Sequence, residues 1–333
     1  MLRLFKLLIL LALLVAGGTA IWLVRFAHAP LELARDPVEF TITPGSSLRG
    51  AAREMVAAGV RMPWWAFEAV ARVAGDPWAI KAGPYEVKPG TSPLDLLGKL
   101  TRGEFALAEI KFIEGWTFAQ LRKALDAHPH VRHDTAGLSS AQIMERLGAP
   151  TAHPEGWFFP DTYLFPRGTS DLEILRQAHR AMAKRLDTAW AERDPDLPVG
   201  TAYEALILAS IVEKETGRAE DRPLVAAVLA NRLRAGMRLQ VDPTVIYGLG
   251  EGFDGNLRKR DLLADTPYNT YTRDGLPPTP IAMPGRASIE AVMRPPRSDV
   301  LYFVARGDGS SEFTRTLEEH NRAVARYQRG GRR

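Results

Sequence analysis

The run AYEALILASIVEKET, residues 202–216, closes an almost wholly apolar stretch with two carboxylates, Glu213 and Glu215, on either side of Lys214. A helix that is apolar all round belongs inside a protein, so this one is expected buried, with its acidic end at a mouth. At about 100° per residue the two carboxylates point about 200° apart and cannot serve one bond from the same face. Glu215 continues the line of Leu208, and Glu213 that of Leu206. A carboxyl with little access to water has a raised pKa, and a carboxyl protonated near neutrality is what a general acid for glycosidic cleavage requires. Read alone, the run fits a solvated helix end equally well.

The segments that follow carry further polar groups. A helix is expected from near Pro223, behind Glu220 and Asp221, to Ala235-Gly236. LQVDPTVIYGLG and TPYNTYTRDGLPPTPIAMPG then interleave Gln240, Asp242, Thr244, Tyr247, Tyr268, Asn269, Thr270 and Tyr271 with prolines and glycines. Such runs read as stiff loop walls with hydrogen-bonding groups and aromatic faces, suited to a sugar chain. A proline-stiffened loop with no such role is the plainer alternative.

Composition narrows the remaining chemistry. The 333 residues suggest two or so domains, at about 150 residues each. Apolar residues make up 46% and charged ones 25%, as in ordinary globular proteins. Cysteine is absent, which removes disulfides, thiolate metal sites and cysteine nucleophiles. A net charge of +4, from 43 basic and 39 acidic residues, gives no reason to expect nucleic acid as a partner. No phosphate-binding glycine loop, dinucleotide fingerprint or G-x-S-x-G elbow occurs. His128, His130 and His133 cluster, but Pro129 interrupts helical presentation and no nearby carboxylate has metal-site spacing. No metal and no cofactor are therefore expected.

One segment departs from the average. Leu7 to Val24 is an apolar run with only Thr19 mildly polar, and at 1.5 Å per residue it just spans a hydrocarbon core of about 30 Å. Apolar residues continue past Gly17-Gly18-Thr19-Ala20, and Trp22 suits an interface, which favours a retained anchor over a cleaved signal. Arg3 and Lys6 argue for a cytoplasmic N-terminus, with the bulk of the chain outside.

These features give an α+β organisation: an anchor over 1–27, a linker over 28–38, a small unit over 39–104, a larger mixed α/β domain over 105–329 and a frayed tail over 330–333. In the small unit, strands at Phe40–Ile42 and Tyr85–Val87 enclose two helices, one behind Ser46-Ser47 and one from Pro63. A third helix opens at Pro93. The strand–helix–helix–strand order is that of LysM-type carbohydrate modules, and equally that of a plain spacer. The larger domain begins with Ile110–Ile113 and a helix at Phe118–Leu125. It continues with the aromatic run 156–163, a long helix near 171–193, a hairpin from Val300–Val304 and Glu312–Thr314, and a terminal helix to about Tyr327.

ASIVEKET, NRLRAGMRLQVDPTVIYGLG, TPYNTYTRDGLPPTPIAMPG and EGWFFPDTY closely resemble the signature segments of the endolytic murein transglycosylase (YceG-like) family. The resemblance runs in order from about residue 40 to the HNRAVARY helix. It implies a single-pass inner-membrane enzyme that cuts nascent peptidoglycan glycan strands internally, with peptidoglycan synthases as candidate partners. It places the catalytic glutamate at Glu215. The chemistry implied is non-hydrolytic: one carboxyl acts as acid and then base while the muramic 6-hydroxyl closes a 1,6-anhydro ring. Glu213, Gln240, Asp242, Thr244, Asn269 and Tyr271 are the candidates for holding the sugar. The alternatives are a hydrolytic muramidase using Asp242 or Glu213 as second carboxylate, and a non-enzymatic wall-binding scaffold.

Overall fold

The computed structural model describes residues 2–74, 79–149 and 153–329; the tail expected over 330–333 lies outside them. The chain forms two compact units, Met1–Ala108 with Leu164–Thr169, and Glu109–Tyr163 with Ser170–Arg333. The boundary expected at residue 104 thus lies a few residues later, and a short later segment joins the first unit.

In the first unit, α1 (Leu2–His28) is long and apolar enough to cross a membrane. After β1 (Glu32–Leu33), the chain forms β2 (Val38–Ile42), α2 (Leu48–Ala58), β3 (Val60–Arg61), α3 (Trp64–Ala74), β4 (Gly83–Val87) and α4 (Pro93–Arg102). β2 alternates buried and exposed residues and pairs antiparallel with β4, so Val38, Phe40 and Ile42 line the core. Ser47 caps α2, and the Ser92–Asp95 capping box opens α4 behind Pro93. The strand–helix–helix–strand order expected from sequence is present.

The linker expected over 28–38 is not a free tether. Leu31 is buried, its N–H donates to the Thr91 carbonyl, and β1 pairs with β3. Apolar Leu31 and Leu33, set among polar neighbours, pull the segment into the core.

The second unit is mainly helical, with short strands. After β5 (Leu107–Lys111), which begins in the first unit, come α5 (Phe118–Asp126), β6 (Val131–Arg132) and α6 (Ser140–Leu147). β7 (Thr162–Pro166) and β8 (Thr169–Ser170) precede α7 (Asp171–Ala191), α8 (Ala202–Glu215) and α9 (Arg222–Arg234). α10 (Asp242–Leu249), α11 (Lys259–Leu263), α12 (Arg286–Met293), the antiparallel hairpin of β9 (Tyr302–Ala305) with β10 (Ser311–Thr314), and α13 (Leu317–Val324) complete it.

α8 is central: every residue from Ala205 to Val212 is buried, and it packs against α7, α9, α10 and α12. Thr201 and Glu204 form the capping box that starts it. Buried Ser210 accepts the Ile281 N–H, so the helix also holds the 279–285 segment in place. One expectation needs correction here. Asp242–Leu249 is a helix rather than a loop wall, because Pro243 sits in its first turn and preorganises it. Arg286–Met293 is helical as well, and it packs on α8.

Candidate active site

The two carboxylates of α8 part company as their spacing requires. Glu213 accepts the Gly285 N–H at 2.9 Å and the Ser288 hydroxyl at 2.7 Å. It therefore satisfies an amide at the start of α12 that has no carbonyl partner within that helix. A Cβ at Gly285 would lie 1.9 Å from Glu114 Oε1, so the Glu114 side chain packs directly over this glycine. Burial, and then the negative charge of Glu213, raise the Glu114 pKa against the opposing Arg222. Gly115 and Trp116 exchange backbone hydrogen bonds with Met283, and Lys214 donates to the Gly115 carbonyl. The E-K-E run, the Glu114–Trp116 turn and the start of α12 are thus one knot.

Glu215 faces the other way. It ends α8, its side chain is half-buried, and its pKa is pushed up to about 7. Loss of hydration is the main cause, the charge of Asp242 adds to it, and Arg232 opposes it. Asp242, exposed in the first turn of α10, accepts the Tyr271 hydroxyl at 2.5 Å. Burial, then that bond and the charges of Asp242 and Glu215, keep the Tyr271 phenol protonated against the opposing Arg232. Glu215, Asp242, Tyr271 and Arg232 therefore form one electrostatic group drawn from α8, α10, the 264–281 loop and α9.

Arg232 is buried, and its guanidinium donates to the carbonyls of Leu301, Arg238 and Leu239. It pins the approach to β9 and the turn that leads to Gln240. Gln240 is exposed and adopts φ 50°, the one positive φ outside glycine among the described residues. A side chain in this region costs of order 1–3 kcal/mol, and such strain clusters where function demands a fixed geometry. The Gln240 N–H donates to the Thr270 carbonyl, two residues before Asp242.

Thr244 and Asn269 are placed differently from the expectation that they hold sugar. Thr244 is fully buried, donates to the Val241 carbonyl and shares a 2.9 Å hydrogen bond with Thr270. Asn269 is equally buried: its amide donates to the carbonyls of Asp261, Leu262 and Ala264 and accepts the Tyr271 N–H. Both spend their polar groups within the scaffold, as Glu213 does. They hold the walls that Gln240, Asp242 and Tyr271 present.

Sequence reasoning passed over Arg232 and Glu155. Arg232 shares the inward face of Val225 and Leu229, so a charged residue at a core position was the available signal. Glu155, at the head of the aromatic run, is 3% exposed and accepts the Phe118 N–H at 3.0 Å and the Tyr247 hydroxyl at 3.1 Å. Burial raises its pKa to about 7 despite those bonds. The His128 ring bonds the Glu109 carbonyl. A cavity of about 800 Å³ lies along α7 and α12, lined by Phe159, Arg185, Ile289 and Met293 among others, and none of the Glu215 group lines it.

Comparison with known proteins gives a consistent picture. The profile of the YceG-like family matches residues 40–326. A Bacillus subtilis protein named endolytic murein transglycosylase is 31% identical over 94% of this chain and 91% of its own length. A Streptococcus pneumoniae protein of the same name is 30% identical over 74% of this chain and 51% of its own length. A crystal structure of a YceG-like protein from Listeria monocytogenes, 30% identical, superposes with a TM-score of 0.54 over 86% of this chain and 98% of that one.

Proposed function

The chain belongs to the YceG-like family, and from that premise we propose that it is a lytic transglycosylase that cuts murein glycan strands internally, with Glu215 as its acid–base group. The observation that carries the reading is the Glu215 carboxyl itself. Its pKa of about 7 leaves a large protonated fraction at neutral pH, together with a conjugate base strong enough to take a proton back.

The proton first passes from Glu215 to the oxygen that bridges C1 of N-acetylmuramic acid to C4 of N-acetylglucosamine. The C1–O bond then breaks, and the departing sugar keeps a 4-hydroxyl. The muramic O6 closes on C1 to form the 1,6-anhydro ring, and its proton returns to Glu215. One carboxyl completes the cycle, so no water enters and no second catalytic carboxylate is needed. Gln240, Asp242 and Tyr271 contact the sugar. Glu213, Thr244 and Asn269 act through the scaffold they fix. Gln240 and Asp242 are exposed, and the charge of Asp242 acts on Glu215, an open arrangement that suits attack within a strand. α1 crosses the inner membrane with Arg3 and Lys6 on the cytoplasmic side, which sets the second unit beside the strands under synthesis. Synthases working on those strands are its natural protein partners.

Digestion of purified glycan strands, followed by mass spectrometry, tests the reaction. Anhydro-ended internal fragments are expected, and Glu215→Gln should abolish them while strand binding persists. Reducing ends would replace this reading with hydrolysis, for which Asp242 is the second carboxylate at hand.

A further inference from the structure

The first unit is fused to the end of α1. Phe26 packs on its core, Ala27 is buried, and the chain enters β1 within four residues of His28. α1 packs against both α3 and α4. The contact with α3 is aromatic: the Trp22 ring stacks on Trp65 at 5.4 Å and 24°, and on Phe26 at 5.5 Å and 7°. Trp22 lies two residues before the end of the apolar run Leu7–Val24, a run of about 27 Å as a helix. In a membrane that run reaches from one side of the hydrocarbon core to the other, so Trp22 lies at the outer boundary.

Trp65 must then lie at the same depth, because its ring is stacked on Trp22. It is 50% exposed, and Trp22 is 42% exposed. Two large aromatic rings left half-uncovered side by side would be costly against water, yet headgroup depth is where tryptophan is most at home. Neighbouring Trp64 is different: it is covered by the guanidinium groups of Arg49 and Arg53, 5.4 and 4.8 Å from its ring. The adjacent positions thus divide into a ring sheltered by protein and a ring left open next to the anchor.

We propose that Trp65 inserts into the headgroup region of the bilayer beside Trp22, so that the first unit rests on the membrane surface through α3. This rests on the reading of α1 as a membrane span. It makes the unit a pedestal seated on the bilayer, and it denies the Trp65 face of α3 to glycan. The partner of that face is lipid.

The absence of cysteine makes a clean test available. Single cysteines at Leu13, Trp65 and Lys88, each in the full chain, carry a nitroxide in nanodiscs of phosphatidylethanolamine and phosphatidylglycerol. Collision with oxygen and with a water-soluble nickel chelate reports their depth. The label at 65 should be poor in nickel collisions relative to the exposed site at 88, and shallower than the label at 13. Nickel access at 65 equal to that at 88, with 13 still shielded, overturns the docking and leaves the anchor intact; nickel access at 13 overturns both. Because the cysteine removes the indole, Trp65→Phe is compared with the parent chain in brominated lipid. Roughly half of the lipid-quenched tryptophan emission from Trp22 and Trp65, the rings at that depth among the described residues, should disappear. Unchanged quenching counts against the proposal.

Discussion

The Tyr271 hydroxyl donates to Asp242 Oδ1 at 2.5 Å, and this bond joins the 264–281 loop to the first turn of α10 next to Glu215. It holds a negative charge at a fixed place beside a carboxyl that must stay protonated. Asp242 supports the raised pKa of Glu215, second to burial.

Asp242→Asn should therefore lower the Glu215 pKa. Removing a negative neighbour eases ionisation, so the protonated fraction at a given alkaline pH falls. In the parent enzyme kcat/KM should decline as pH rises through about 7, the Glu215 value. In the variant that decline should begin at lower pH, with activity at pH 8 reduced on the order of tenfold. An alkaline limb that stays in place would show that Asp242 does not tune Glu215.

Glu213 has a different expected signature. Glu213→Ala leaves the Gly285 N–H and the Ser288 hydroxyl without their acceptor, and should cost about 2–3 kcal/mol in urea unfolding. Glu213→Gln keeps an acceptor oxygen, so it should recover most of the stability and much of the activity. A Gln variant that is fully folded but as inactive as Glu215→Gln would mean Glu213 takes part in the chemistry.

The division of labour between these residues was legible only in part. The apolar run and its capping residues announced α8, and the 200° divergence of its carboxylates is realised: one goes to α12, the other to α10 and α9. The helices missed, α6, α10, α11 and α12, are eight residues or fewer, too short for a repeating pattern. That Asn269 and Thr244 turn inward could not be read either. Polar residues in a proline-rich loop have the same appearance whether they face solvent or bond the loop to itself. The φ of Gln240 is set by its tertiary surroundings, because nothing about glutamine favours it.

Gly156→Ala tests the aromatic run. Its φ of 82° suits glycine, and a Cβ would lie 2.6 Å from the Pro280 ring, which cannot swing aside. Two penalties combine, the backbone region and the overlap, for a loss of about 2–4 kcal/mol. Thermal unfolding should register it as a fall in Tm. Because Pro280 precedes the Ile281 amide held by Ser210, activity should fall with it.

Glu155 gives a pH dependence of stability that is separate from catalysis. Its carboxyl is 3% exposed and its pKa is raised to about 7 in the folded protein, against 4.5 when hydrated. Burial dominates over the bonds from Phe118 and Tyr247, so the neutral form is the one the fold prefers. A raised carboxyl pKa contributes its full stability below the unfolded value, and loses it as pH rises through the folded one. The window is thus pH 4.5 to about 7, and the span is on the order of 3 kcal/mol at about 1.4 kcal/mol per pK unit. Glu155→Gln cannot ionise, so its unfolding free energy should vary less between pH 5 and pH 8 than that of the parent chain. Chemical denaturation at the two pH values measures this. Equal slopes in the parent and the variant would mean that Glu155 ionises as freely in the fold as in water.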